Sequence, residues 1–131
     1  MQTPKALLAM SLALAPIHRA SAEGKFICNL SILSKAERAR DKELAGVMRA
    51  ALIEKTELSN GYAFRFDPKV LPQLGEWTYI VVKCCQPVHY QIEVGPQPGG
   101  ALWWRLTGEE GVKEFIEDEL QPFFVASASK L

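Results

Sequence analysis

The sequence predicts an α+β fold: a two-layer sandwich in which three helices cover a three-stranded, mainly antiparallel sheet, in the order α-β-α-β-β-α. Three observations favour this fold class. Apolar residues recur at helical spacing in three stretches, and two of these follow a capping box. Three shorter stretches alternate between apolar and polar residues, as strands with one buried face do. The Gly- and Pro-rich stretch at 95–100 joins two of them as a long hairpin.

The first helix is predicted from Lys35 to Lys55. Ser34 and Glu37 form its capping box, in which each side chain accepts a hydrogen bond from the other residue's backbone N–H. The Asn60-Gly61 pair breaks this helix, and the alternation over 62–66 then predicts a strand with one aromatic face. The stripe that would pack this helix on the sheet consists of Leu44, Val47, Met48 and Ala51.

The second helix is predicted to begin at Pro72 and to end at Pro87, because proline fits the first turn of a helix but cannot continue one. Two strands follow, at 88–94 and 102–106, and the alternation of the second puts Leu102, Trp104 and Leu106 on its core side. The apolar stripe of this second helix consists of Leu74, Trp77, Val81 and Cys84.

The third helix is predicted to start at a second capping box, formed by Thr107 and Glu110, and to run until Pro122. With this helix the pattern accounts for one α+β domain at 23–122, followed by a flexible tail at 123–131, and 131 residues suffice for one domain of ordinary size. The apolar face of the third helix consists of Val112, Phe115, Ile116 and Leu120.

The first 22 residues have the three parts of a secretory signal peptide. Lys5 supplies the positive start, 6–17 the short apolar core, and Ala20-Ser21-Ala22 a step of small residues, so we expect cleavage before Glu23. Twelve apolar residues rise about 18 Å as a helix, less than the roughly 30 Å of a bilayer core, so no membrane span is expected. The sequence therefore predicts a periplasmic or extracellular protein.

The last three residues offer a competing address. Ser129-Lys130-Leu131 spell a peroxisomal signal, which a receptor reads on a cytosolic protein. That destination conflicts with export, and we hold it as the minor alternative.

Charge excludes one class of partner. The chain has 15 basic and 15 acidic side chains, and the signal segment removes two basic groups, Lys5 and Arg19, and no acidic one. No basic stripe remains that could neutralise a phosphate backbone. Nucleic acid is therefore not an expected partner, and a small ligand or another protein is.

Three cysteines are the residues most open to chemistry. Cys84 lies in the apolar stripe of the second helix, while Cys85 turns away from it, and Cys28 lies on an N-terminal arm. A disulfide between neighbours is disfavoured, because adjacent Cα atoms are about 3.8 Å apart and ordinary disulfides span roughly 4.4–6.8 Å. A disulfide from Cys28 to either Cys84 or Cys85 is the favoured alternative, and it would tether the arm.

A soft-metal site is the second alternative for these cysteines. Together with His89 they offer three sulfurs and one nitrogen, a ligand set that suits zinc or copper(I). The spacing opposes it, because zinc sites usually separate paired cysteines by two residues or more. A catalytic thiol at Cys85 is the third alternative, but the C-terminal end of a helix favours the thiol over the thiolate.

A second candidate surface lies on the open face of the predicted sheet. Because Trp104 faces the core, Trp103 points outward, on the same side as His89 and Arg105. An exposed tryptophan is a common anchor for a partner, although the arm or a neighbouring loop could equally cover it.

The sequence favours binding over catalysis. It contains no Ser-His-Asp set, phosphate-binding loop or paired-carboxylate pattern, and His89 is the one histidine left after signal cleavage. We expect a non-enzymatic, thiol-containing binding or interaction module, with soft-metal binding as one form of it and no other cofactor. The alternative is a cysteine-dependent redox or detoxification enzyme.

Six short motifs follow one another along the chain: Cys28-Asn29-Leu30, Glu37-Arg38, Gly61-Tyr62-Ala63-Phe64, Glu76-Trp77, Lys83-Cys84-Cys85 and Arg105-Leu106-Thr107-Gly108-Glu109-Glu110-Gly111-Val112-Lys113-Glu114-Phe115-Ile116. Together, over roughly Cys28 to Leu120, they resemble a family of uncharacterised small bacterial proteins. The resemblance implies bacterial origin and a single domain, and it implies no activity. In that family the double cysteine is usually followed by Pro-Phe-Phe, where this chain has Gln86-Pro87-Val88.

Overall fold

Two antiparallel sheets and three main helices make up the part of the chain that the structure, a computed structural model, describes, which is residues 26–124. The predicted signal peptide and the tail beyond residue 124 lie outside these residues. The elements in chain order are β1 (Ile27–Cys28), α1 (Lys35–Ala51), β2 (Leu52–Leu58), β3 (Gly61–Phe66), α2 (Leu71–Cys84), β4 (Cys85–Gln86), β5 (His89–Val94), β6 (Leu102–Thr107) and α3 (Val112–Glu119). Single 3₁₀ turns occupy Leu30–Ile32 and Pro68–Val70, and residues 121–124 are again helical.

The α+β prediction is confirmed, but the prediction of one three-stranded sheet is wrong. The main sheet has four strands in the order β2-β3-β6-β5, and β1 and β4 form a separate two-stranded sheet. Every neighbouring pair of strands is antiparallel. The element order is therefore β-α-β-β-α-β-β-β-α rather than α-β-α-β-β-α.

The additional strand of the main sheet is β2, which the sequence analysis assigned to the end of the first helix. α1 ends at Ala51, because Leu52 is already extended, with φ −69° and ψ 126°. Ser59 and Asn60 form a two-residue connection, and Leu58 pairs with Gly61 across it. Asn-Gly is a strong signal for such hairpins, and pairing with β3 outweighs the helix propensity of the charged residues in 54–57.

Gly61 is required at the start of β3 because of the strand beside it. A Cβ atom at this position would lie 1.9 Å from the carbonyl oxygen of Leu106 on β6. The backbone of β3 thus approaches β6 more closely than any side chain would allow. The Asn60-Gly61 pair therefore starts a strand as well as ending the preceding one.

One of the two predicted capping boxes forms. At the start of α1, Glu37 N–H donates to Ser34 Oγ at 3.0 Å and Ser34 N–H donates to Glu37 Oε1 at 2.9 Å. The box predicted at Thr107 and Glu110 is wrong: Thr107 is the last residue of β6, where it pairs with Gly61 on one side. Because the sheet holds Thr107, α3 begins only after Gly111, whose φ is 98° and which has no capping side chain.

The core lies between one face of the main sheet and the helices. Its largest members are Trp77 of α2 and Trp104 of β6, whose rings lie 4.9 Å apart. Phe123 belongs to it as well: it is 3% exposed and stacks on Trp77 at 5.6 Å. The start of the predicted flexible tail is thus part of the packed structure. The other buried residues of the core are Leu33 before α1, Leu44 and Met48 of α1, Leu74, Ile80, Val81 and Cys84 of α2, Cys85 of β4, Tyr62, Phe64 and Phe66 of β3, Leu102 and Leu106 of β6, and Val112 and Ile116 of α3.

Polar contacts fix α1 against α2 above this core. The Arg40 guanidinium donates to both carboxylate oxygens of Glu76, at 2.7 and 2.8 Å, and Lys83 pairs with Glu37. Within residues 26–124, none of the helices combines the length and the apolar character that crossing a membrane requires.

Candidate cysteine site and adjoining groove

The N-terminal arm brings Cys28 to the end of α2. β1 runs antiparallel to β4, so that Ile27 pairs with Gln86 and Cys28 with Cys85. The ladder continues one residue further, because Asn29 N–H donates to the carbonyl oxygen of Cys84 at 2.7 Å. Cys28 and Cys85 form a disulfide, so the arm is tethered and its partner is the second cysteine of the pair.

Because the chain changes from helix to strand after Cys84, the side chains of Cys84 and Cys85 point in different directions. Cys84 is the last residue of α2 and is buried in the core, 3% exposed, as its stripe with Trp77 predicts. Cys85 is extended, with φ −119° and ψ 103°, and therefore faces β1. The helix had been expected to continue to Pro87, and its earlier end is what makes Cys85 available to Cys28.

All three cysteine sulfurs form one cluster. Cys84 is a free thiol, and its Sγ lies 3.5 Å from Sγ of Cys85. The three Sγ atoms lie within 4.8 Å of one another, and we call Cys28, Cys84 and Cys85 the cysteine cluster. A disulfide and a thiol thus lie in contact in one small volume.

Burial controls the chemistry of the free thiol. It raises the pKa of Cys84, and the nearby carboxylate of Asp41 raises it further. The thiol therefore stays protonated at neutral pH, and since the thiolate is the nucleophile, Cys84 is a slow one.

A groove of about 480 Å³ borders the cysteine cluster, between α1, α2 and residues 119–123. Trp77 and Phe123 line its apolar part, and the Trp77 indole N–H donates to Asp41 Oδ1 at 2.9 Å. The charged side chains that line it are Asp41, Lys42, Arg49 and Glu119. Partial burial of the Glu119 carboxyl, with Asp118 beside it, raises its pKa.

The groove is the part of the site that the sequence analysis missed. α1 contributes Asp41, Ala45 and Arg49 at four-residue spacing, together with Gly46, beside which a Cβ atom would meet nothing within 4 Å. Small residues on an otherwise charged helix stripe were the available signal, but only the position of residues 119–123 makes that stripe one wall of a groove.

His89 does not join the cysteines, so the predicted set of three sulfurs and one nitrogen is not assembled. Its neighbour Tyr90 points towards the core and donates through its hydroxyl to the carbonyl oxygen of Cys85 at 3.0 Å. Because side chains alternate along β5, His89 is exposed on the opposite face of the sheet. Among the residues that the structure describes, the sulfurs of Cys28, Cys84 and Cys85 are the group that could hold a metal ion.

The second predicted surface is present as one face of the sheet, but its charged groups have partners. Trp103 and Arg105 lie on β6, and the register pairs Glu93 with Trp103 and Thr107 with His89 across β5. Arg105 donates to Glu93 at 2.6 Å and its Cζ lies 5.8 Å from the Trp103 ring centroid. Trp103 is therefore half-buried under its own strand's arginine rather than fully exposed.

Compared with known proteins, the chain matches no family model, no curated protein and no solved structure. The features of the molecule that bear on its function are therefore the cysteine cluster and the groove beside it.

Proposed function

We propose that this chain is an exported, non-enzymatic binding module of bacterial origin whose cysteine cluster is the binding group. The observation that carries the proposal is the meeting of three sulfurs within 4.8 Å at the wall of a groove. Cysteine sulfur is a soft donor atom, so we expect the molecule or ion that binds here to be thiophilic. The groove supplies the space in which the rest of such a ligand would lie.

The disulfide supports export. Bonds such as Cys28–Cys85 persist in oxidising compartments and are rare in the cytosol, where thiols are kept reduced. The signal-like pattern of the first 22 residues and the resemblance to small bacterial proteins favour the same assignment.

Electrostatics favours binding over catalysis at this site. The pKa of Cys84 is raised, and its position at the C-terminal end of α2 also disfavours the thiolate. The adjacent cation, Lys83, is paired with Glu37. His89, the single histidine among residues 26–124, lies on the opposite face of the sheet, so within this part of the chain the thiol has no imidazole beside it as a base.

The redox state of the disulfide would set how many thiols are available to bind a ligand. With Cys28 and Cys85 bonded, one thiol faces the groove; after reduction, three do. The hydrogen bonds between β1 and β4 are made by the backbone, so we expect them to keep the sulfurs near one another after reduction as well.

A monofunctional organomercurial tests the proposal. Phenylmercuric acetate exchanges its acetate for a thiolate and releases acetic acid, so each reacted cysteine adds one phenylmercury group to the intact mass. We expect the folded, oxidised chain to take up one equivalent and the phosphine-reduced chain to take up more than one. Cys84→Ala is the matched control and should take up none when oxidised. Uptake only after unfolding in denaturant would show that the cluster is closed to ligands and would contradict the proposal.

A cysteine-dependent redox enzyme is the second candidate, and one distance favours it. Sγ of Cys84 lies 3.5 Å from Sγ of Cys85, so a thiol stands beside a disulfide as thiol–disulfide exchange requires. Attack of the Cys84 thiol on Sγ of Cys28, which lies within 4.8 Å of it, would form a Cys28–Cys84 bond and release Cys85 as the thiol. If this is the function, the chain should accelerate the reduction of insulin by dithiothreitol with turnover; the binding module should leave that rate unchanged.

A further inference from the structure

The spacing of the three sulfurs matches a single atom held by three sulfur bonds. A central atom that holds thiolates at about 2.3 Å, the usual zinc–sulfur length, keeps them roughly 3.5–4 Å apart. Cys84 and Cys85 already have a separation of 3.5 Å, and no pair in the cluster exceeds 4.8 Å. Small side-chain rotations therefore suffice to place three sulfurs around one atom once the disulfide is open.

The surroundings of the cluster disfavour a charged centre. Three thiolates around a monovalent copper ion leave two negative charges, and around a divalent zinc ion one, and zinc usually takes a fourth ligand. Two carboxyls, Asp41 and Glu119, and two cations, Lys42 and Arg49, line the groove beside the cluster, so the groove supplies no excess of positive charge to balance an anionic centre. Cys84 and Cys85 are buried and Cys28 is half-buried, and a cluster in this position fits a ligand that binds without changing the net charge.

We propose that the reduced cysteine cluster binds a trivalent, uncharged thiophilic hydroxide, of which arsenous acid is the simplest, as a three-coordinate centre on Cys28, Cys84 and Cys85. This inference rests on the proposed function and names its ligand class. A phosphine first reduces the disulfide: one phosphine and one water give one phosphine oxide and two thiols. Arsenous acid then condenses with three thiols, forming three arsenic–sulfur bonds and releasing three waters, so that the net charge is zero throughout.

The groove and the strand pairing give this centre its access and its rigidity. The groove borders all three cysteines, so the acid can enter and the released waters can leave. The β1–β4 ladder pairs Cys28 with Cys85, and Asn29 N–H donates to the carbonyl oxygen of Cys84. Both sets of bonds are made by the backbone, so neither requires the disulfide.

Native mass spectrometry of the full chain with sodium arsenite tests the inference. After phosphine reduction, we expect one arsenic per chain, with the loss of three protons that three arsenic–sulfur bonds require. The oxidised chain should bind none. Cys28→Ser and Cys84→Ser should each weaken binding on the order of 100-fold, while His89→Ala, which alters the other face of the sheet, should leave it unchanged.

Circular dichroism of the reduced chain keeps the test decisive if reduction unfolds the protein. In that case arsenite should restore the native spectrum, because it replaces the lost cross-link, and failure to do so would overturn the inference.

Unchanged affinity for arsenite in Cys28→Ser would also overturn the inference, because two thiols would then suffice. Zinc or copper(I) binding more tightly than arsenite, with all three thiols used, would overturn the charge argument. Reaction with phenylmercuric acetate but not with arsenite would remove this inference and leave the proposed function intact; reaction with neither would remove both.

Discussion

The cysteine cluster and the open face of the main sheet were both candidates from the sequence, and the structure treats them differently. On the open face, Arg65 pairs with Glu54 at 2.9 Å and Arg105 with Glu93 at 2.6 Å, and Arg105 also lies beside the Trp103 ring. At the cysteine cluster, a free thiol is buried against a disulfide with a groove beside it. Polar groups that already have partners stabilise a surface, whereas a free thiol beside both a disulfide and a groove marks a site where a thiophilic ligand could bind.

The two neighbouring tryptophans of β6 show the contrast between the two faces of the sheet most clearly. Replacing Trp104 should have the largest effect on the free energy of unfolding. Trp104 is 1% exposed between Trp77 and Phe64, so Trp104→Ala should lower the free energy of unfolding by about 3–5 kcal/mol. Trp103→Ala on the open face should cost no more than about 1 kcal/mol. Urea unfolding of both variants measures the difference.

A matched variant separates packing from hydrogen bonding at Trp104. Its indole N–H is buried without a hydrogen-bond partner, so Trp104→Phe loses no bond and should cost less than Trp104→Ala. Equal losses of stability in Trp103→Ala and Trp104→Ala would mean that the open face is covered in the folded protein, and the contrast between the two faces would fail.

The disulfide should make the next largest contribution to the stability of the folded chain. It joins residues 57 apart, and closing such a loop in the unfolded chain corresponds to about 4 kcal/mol in the chain-entropy model, with about 2–4 kcal/mol typical of measurements. Cys28→Ser should therefore destabilise the chain by about that amount without reductant. With phosphine present, wild type and Cys28→Ser should unfold at nearly the same denaturant concentration. A gap that persists under reduction would assign the effect to packing of the arm rather than to the bond.

Much of the fold could be predicted from local spacing in the sequence. The remainder depends on pairing between residues that are far apart in the chain. The stripe of α2, the capping box of α1 and the inward side of β6 follow from local spacing, which is why Trp104, Cys84 and Ser34 were placed correctly. β2 was missed because its charged residues favour a helix locally and only pairing with β3 makes it a strand.

The candidate site, too, could be predicted in part from local spacing and in part depends on contacts between distant residues. Local spacing identified the three cysteines but left the partner of Cys28 open, because Cys84 and Cys85 are adjacent in sequence. The ladder between β1 and β4, a contact between residues far apart in the chain, decides for Cys85. The groove was out of reach for the same reason, since it needs residues from α1, α2 and 119–123 together.

The cap of α1 should have a smaller effect than the disulfide. Ser34→Ala removes the acceptor for Glu37 N–H and should cost about 1 kcal/mol. Thr107→Ala is the informative control, because the sequence predicted a cap there and the structure shows a strand end instead. If Thr107→Ala changed the helical content as much as Ser34→Ala did, the position of α3 would be wrong.

The smallest expected effect is the pH dependence contributed by Glu119. Its pKa is raised in the folded state, so its contribution to stability is fully present below the ordinary glutamate pKa and is lost as the pH rises through the raised value. Glu119→Gln keeps the shape and removes the titration, so its stability relative to wild type should increase between pH 4 and pH 7. The side chain is exposed, which keeps the change small. A relative stability that falls over this range would mean that Glu119 gains a cationic partner, such as Arg49, in solution.

The most direct test of the account is to locate the free thiol in the oxidised protein. The chain has three cysteines, and the structure bonds Cys28 to Cys85 and leaves Cys84 free. Iodoacetamide labelling in denaturant without reductant, followed by proteolysis and fragmentation of the linked peptides, identifies both the bond and the labelled residue. We expect one label per chain, on Cys84, and a Cys28–Cys85 bond. A label on Cys85 with a Cys28–Cys84 bond, or three labels on a fully reduced chain purified without reductant, would contradict it.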